Sequence, residues 1–185
     1  MKFVQLKQNT PEWLEFRKSH IGASDSSVIM GCNPYKTINE LVAEKVHGLS
    51  QPMNDKMQRG KDLEPLALSE FERIVGGLYS PAIVIHSEYE WCMASLDGIE
   101  MDGKYIVEIK CPGKKNHTLA KKGKVPDEYY PQLQHQLACT GLEWIYYFSY
   151  SEGDNALLKI ERDNPYIETM LHKQKQFYEE HLFAQ

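Results

Sequence analysis

Asp97 lies in Ser95-Leu96-Asp97-Gly98, and Glu108 and Lys110 lie in Val107-Glu108-Ile109-Lys110, with ten residues between the two acids. Carboxylates are hard oxygen ligands suited to Mg2+ or Mn2+. A divalent ion beside a phosphate lowers the pKa of a bound water and stabilises charge on the scissile group. A neighbouring lysine can orient that water or neutralise the charge of the transition state. The three residue types together suit phosphodiester hydrolysis. The spacing alone recurs by chance and gains meaning only on a strand–turn–strand.

The surrounding pattern supplies that element pair. Side chains alternate between faces along a strand, so Tyr105, Val107 and Ile109 form a core face. Glu108 and Lys110 share the opposite face, where an exposed salt bridge is the competing reading. Asp97 ends the preceding strand, and Met101-Asp102-Gly103-Lys104 carries the Asp-Gly hairpin signal that returns the chain to Glu108.

Further out, helices are expected after Thr10-Pro11, from Gly22–Asp25 through Met30, from the capping box Thr37–Glu40, over Asp55–Val75 and over Glu128–Thr140. The Thr37 helix would turn Ile38, Leu41, Val42 and Val46 inward. Pro65 marks either the first turn of the Asp55–Val75 helix or a kink. Strands are expected at 82–85, 91–96 and 105–110, with a second hairpin at 145–160 turning on 152–155. A last amphipathic helix over 165–182 would bury Ile167, Met170, Leu171, Phe177 and Tyr178. The order predicts an α/β domain, a central mixed β-sheet flanked by α-helices, in one unit over residues 1–185.

A net charge of −5 is low for a protein that holds phosphates. The charge is uneven, however. No acid occurs between Glu108 and Asp127, a stretch holding Lys110, Lys114, Lys115, Lys121, Lys122 and Lys124. This reads as a DNA-facing lysine loop, with a solvated loop as the alternative. The four cysteines show no zinc spacing and suit a reduced compartment. No apolar run has the length of a membrane span, and the first residues lack a signal-peptide core, so a cytoplasmic, non-membrane protein is expected.

Asp97 with Glu108-Ile109-Lys110 resembles the PD-(D/E)XK nuclease core. Six stretches, in order, resemble the lambda-exonuclease branch, the YqaJ-type viral recombinase family: Trp13–Arg17, Ile21–Ser24, Arg59–Glu64, Ala94–Gly98, Glu108–Pro112 and Tyr130–Gln134. Leu96 stands where the motif name expects proline, which is not a ligand. The resemblance implies Glu64 as a further metal-site carboxylate and the Ile109 backbone carbonyl as a ligand, for two Mg2+ (or Mn2+) ions. It implies that Gln132 points into the active site. It also implies that Arg17 and Ser24 bind the terminal 5′-phosphate of the recessed strand. Read without it, Glu64 is a surface glutamate, Ser24 a helix cap and Arg17 a cover for apolar surface. Gln132, His135 and Gln136 then make a polar outer face, with His135 a surface histidine. The implied activity is 5′-to-3′ digestion of double-stranded DNA to leave 3′ tails, by a homotrimer working with a single-strand annealing protein. The rivals are a structure-specific or restriction-like endonuclease and a non-catalytic DNA-binding scaffold.

Overall fold

A computed structural model describes residues 1–49 and 52–183. The elements run β1 (Lys2–Val4), α1 (Pro11–Lys18), a 3-10 turn (Ala23–Asp25) leading into α2 (Ser26–Ile29), α3 (Ile38–His47) and α4 (Asp55–Val75). Then follow β2 (Tyr79–Ile85), β3 (Met93–Glu100), β4 (Ile106–Lys110), α5 (Lys114–Lys121), α6 (Tyr130–Thr140), β5 (Trp144–Ser151), β6 (Asp154–Glu161) and α7 (Asn164–His181). Among the described residues six strands form one sheet in the order β1-β2-β3-β4-β5-β6. Neighbours are antiparallel except β4 and β5. A parallel pair needs a crossover, and α5 and α6 form it.

Both faces of the sheet are covered. On one, Ala94, Leu96, Ile106, Ile145 and Tyr147 pack with Leu133 and Leu137 of α6 and Met170 of α7. On the other, Val107, Ile109, Phe148 and Tyr150 pack with Ala67 and Phe71 of α4. The Phe71 ring is fully buried, its centroid 4.9, 5.3 and 5.6 Å from those of Tyr79, Tyr146 and Phe148, all edge-on. This fixes α4 against the sheet. The face bearing Glu108 is therefore a second core layer and not a solvated one.

The caps act as their residue types require. The Thr37 hydroxyl accepts from the Glu40 N–H while the Glu40 carboxylate accepts from the Thr37 N–H, and Gly141 closes α6 at φ 74°. Several expectations need correction. Lys114–Lys121 is a helix, not a loop. Pro65 lies inside α4, past the first turn. Ile38 is exposed, and Gln174 joins Ile167, Met170 and Phe177 on the buried side of α7. The second hairpin turns on Glu152-Gly153 alone, because Asp154 and Asn155 already pair in β6. β1 has only three residues, too few for an alternation to be read.

Candidate active site

The site begins with an irregularity in β3. Ala82 of β2 pairs with Leu96, and Ser80 pairs with Ile99, so a two-residue step on β2 faces a three-residue step on β3. The extra residue falls at Asp97-Gly98. A β-bulge unpairs backbone and re-aims a side chain. The β3–β4 ladder runs through Ile99↔Ile106 and Gly98↔Val107. Two residues beyond Val107, the Ile109 N–H donates to Asp97 Oδ2 at 2.8 Å. The carboxylate thus takes the place of a ladder carbonyl for the Ile109 N–H. Gln8 spans the same irregularity, its Nε2 donating to the Ala82 and Leu96 carbonyls at 3.1 and 3.0 Å.

Glu108 is 1% exposed and held by three donors. Gln132 Nε2 and Lys110 Nζ each reach Oε1 at 2.6 Å, and Gln136 Nε2 reaches Oε2 at 2.5 Å. Gln132 and Gln136 are one turn apart on α6, so a single helix face orients the carboxylate. Lys110 also lies over the Tyr129 ring, 5.3 Å from its centroid.

Glu64 is open to solvent over part of its surface and lies three and seven residues before the buried Ala67 and Phe71 of α4. Burial and then Glu108 push its carboxyl up from its ordinary range. Burial, Glu108 and Glu64 hold Asp97 well above the carboxylate range, against Lys110 and the Ile109 N–H. Burial disfavours charge on Lys110, but Glu108 and Asp97 outweigh it and raise the ammonium above its ordinary value. Three carboxyl groups around one ammonium make a cluster short of positive charge. Asp97 and Glu108 offer hard oxygen donors of the type a divalent cation such as Mg2+ or Mn2+ takes, and Glu64 lies near enough to feel Glu108 and Lys110.

Arg17 and Ser24 are together as well. Arg17 Nη2 donates to Ser24 Oγ at 2.9 Å and lies 3.9 Å from Asp25 Oδ1, with its guanidinium 4.7 Å from the Trp13 ring centroid. Asp25 is buried on Lys45 at 2.6 Å, and Lys45 also donates to the Arg17 and His20 carbonyls, both at 2.8 Å. Burial alone would raise Asp25, but Lys45 and then Arg17 bring its carboxyl below the usual range. The Trp13 indole N–H donates to Ser95 Oγ at 2.9 Å, two residues before Asp97. One chain of contacts therefore joins Arg17 to the strand that carries the first acid.

Lys114 and Lys115 are exposed on the first turn of α5, directly after the Glu108 strand, and Lys122 is exposed at its end. Lys121 is taken by Asp154 at 2.7 Å. His135 and Gln136 are not on an outer face: both are fully buried, because α6 runs through the core. The sequence marks Gln136 only weakly and Gln8 not at all. The signal for Gln136 was its i, i+4 spacing from Gln132. Gln8 has no such signal, since a bulge 74 to 88 residues away selects it.

The YqaJ-like viral recombinase domain model matches residues 12–143. A Bacillus subtilis (strain 168) protein described as uncharacterized protein YqaJ is 32% identical over 174 residues, covering 90% of this chain and 54% of that protein. The chain thus spans about half the length of this curated relative. The alkaline exonuclease LHK-Exo of Laribacter hongkongensis is 31% identical, with a TM-score of 0.78 and 92% of each chain covered. Its complex with dAMP gives 30% and 0.79 over the same coverage. A phage-related exonuclease of Haemophilus somnus 129PT shares the fold at 16% identity, with a TM-score of 0.60 over 87% of this chain and 94% of that one.

Proposed function

The chain belongs to the YqaJ-like viral recombinase family, and from this premise we propose that it is a Mg2+-dependent exonuclease of double-stranded DNA. It digests the 5′-ended strand in the 5′-to-3′ direction and leaves a 3′ tail. The observation that carries this reading is the Glu108 carboxylate clamped by Lys110, Gln132 and Gln136 beside Asp97. The name of the similar LHK-Exo supports exonuclease chemistry, and its dAMP complex supports mononucleotide release.

Asp97, Glu108 and Glu64, with the Ile109 carbonyl, would hold two ions. Bound Mg2+, or Mn2+ in its place, supplies an acidified water and charge neutralisation at the phosphate. Lys110 sets the orientation of the attacking water and offsets the charge that builds on the phosphoryl oxygens. Gln132 and Gln136 keep Glu108 from turning away as substrate arrives. Arg17 and Ser24 take the terminal 5′-phosphate, for which the Arg17 fork is suited. The phosphate displaces little, because Asp25 is already neutralised by Lys45. Lys114, Lys115 and Lys122 follow the duplex backbone, with Lys121 joining when it exchanges Asp154 for phosphate. A homotrimer around DNA, a single-strand annealing partner, one nuclease domain over residues 1–185 and a cytoplasmic site of action complete the reading. Among the described residues no helix is long and apolar enough to cross a membrane.

The test compares linear duplex with covalently closed plasmid in Mg2+. Loss of linear duplex alone is expected, and rapid cutting of closed circles overturns the exonuclease reading in favour of an endonuclease. Asp97→Ala should abolish degradation yet keep duplex binding. Undiminished degradation by that variant would remove the metal site from the account.

A further inference from the structure

Away from the acid cluster, three soft-donor side chains meet in the core. Cys92 immediately precedes β3, and His135 and Cys139 stand one turn apart on α6. Cys92 and His135 are fully buried and Cys139 is 1% exposed. Cys92 Sγ lies 3.5 Å from Cys139 Sγ and 3.6 Å from His135 Nε2, and the three donor atoms all lie within 4.8 Å of one another. Tetrahedral zinc, with Zn–S near 2.3 Å and Zn–N near 2.0–2.1 Å, sets two sulfurs about 3.8 Å apart and a sulfur and nitrogen about 3.6 Å apart. The side chains thus stand within a few tenths of an ångström of those two ligand separations. The 43 and 47 residues that separate Cys92 from His135 and Cys139 hide this grouping from any spacing motif.

We propose that Cys92, His135 and Cys139 form a zinc site, with the Met93 carbonyl as the fourth donor. That carbonyl lies 2.9 Å from His135 Nε2, a hydrogen-bond distance that opens to about 3.4 Å when both bind one tetrahedral zinc. Zinc with two thiolates, a neutral imidazole and a carbonyl carries no net charge, which is the condition for sitting in an apolar core. Binding releases both thiol protons. The remaining imidazole proton then belongs on Nδ1, so that the Nε2 lone pair faces the metal.

The surroundings of Nδ1 suit this. Gln174 of α7 lies with its amide nitrogen 3.0 Å from His135 Nδ1 and 2.9 Å from Ser26 Oγ, while its Oε1 is buried without a hydrogen-bond partner. The two ends of an amide have the same shape, and their partners decide which is which. A half-turn of this amide gives its oxygen the Nδ1–H and the Ser26 hydroxyl, and moves its nitrogen to the unpartnered position. An outer acceptor of this kind fixes the tautomer of a zinc-bound histidine. The metal would clasp α6, which carries Gln132 and Gln136, to the start of β3, which carries Asp97. The proposal does not depend on the nuclease reading.

The experiment measures zinc by elemental mass spectrometry in the full chain, expressed with added zinc and passed over a sizing column without chelator. About one zinc per chain is expected, falling at least tenfold in Cys92→Ser/Cys139→Ser and unchanged in Cys32→Ser. Far-UV circular dichroism checks that the double variant is folded. Should it unfold, Co2+ exchanged into the unaltered protein decides the matter through a thiolate-to-cobalt charge-transfer band. Any of three results overturns the proposal: no stoichiometric zinc together with no such band, zinc retained in the folded double variant, or a Cys92–Cys139 disulfide in place of the metal.

Discussion

Glu108 is buried and meets Lys110, Gln132 and Gln136 at hydrogen-bond distance, so its orientation is set before any substrate arrives. Two substitutions separate the contributions. Lys110→Met removes the only ammonium that contacts Glu108 among the described residues, and kcat is expected to fall by about 10²- to 10³-fold with duplex affinity nearly unchanged. Gln136→Leu leaves all the acids in place but frees one carboxylate oxygen. An outer partner of this kind typically contributes about 10- to 100-fold in metal affinity or rate. A Mg2+ titration of the rate should therefore show a raised half-saturation concentration, and a drop in kcat at saturating Mg2+ with no such shift would count against orientation of the metal-facing oxygen. At this scale much was legible. Asp97, Glu108 and Lys110 come together as their strand spacing implies, and Arg17 and Ser24 do meet. The polar face of α6 is buried because Gln134, His135 and Gln136 each meet groups distant in sequence. An amphipathic pattern cannot distinguish a solvated polar face from one buried against its partners.

The bulge in β3 is the element that re-aims Asp97, and Gly98 shows how little room it has. A Cβ on Gly98 would lie 2.9 Å from Val107 Cγ1 and 3.0 Å from Tyr79 Cβ. Gly98→Ala is therefore expected to destabilise the protein by about 1–3 kcal/mol through overpacking, read from urea denaturation, and to lower kcat with it. Wild-type stability in that variant would show that the bulge is slack. The second element-scale test concerns the base of the Arg17 site. Lys45→Met leaves the buried Asp25 with only the more distant Arg17, at a cost of about 3 kcal/mol, and Asp25→Asn with Lys45→Met should recover most of it. Asp25 has a depressed folded-state pKa. Its stabilisation is present above the ordinary carboxylate range and is lost as pH falls through the depressed value. Asp25→Asn should accordingly flatten the acid limb of stability against pH. Helices with caps and the Asp-Gly hairpin were readable from local chemistry. The bulge, the three-residue β1 and the helix hidden in the lysine run were not, because each is fixed by its neighbours in the fold.

Across the whole molecule, an overall charge of −5 coexists with a strip of basic side chains that begins at the end of β4. Lys114, Lys115 and Lys122 are exposed there, and the Arg17–Ser24 site connects through Trp13 and Ser95 to the strand bearing Asp97. The central claim is that this arrangement degrades duplex DNA from a phosphorylated 5′ end. The most direct measurement is Mg2+-dependent digestion of end-labelled linear duplexes that differ only in 5′ phosphorylation. The account predicts release of 5′-labelled mononucleotide first, no reaction in chelator, and a rate on the 5′-phosphorylated duplex at least about tenfold above the 5′-hydroxyl duplex, a difference that one lost charge-assisted contact supplies. It also predicts that Arg17→Ala removes the difference. Equal rates on the two duplexes, or release beginning at the 3′ label, would contradict it.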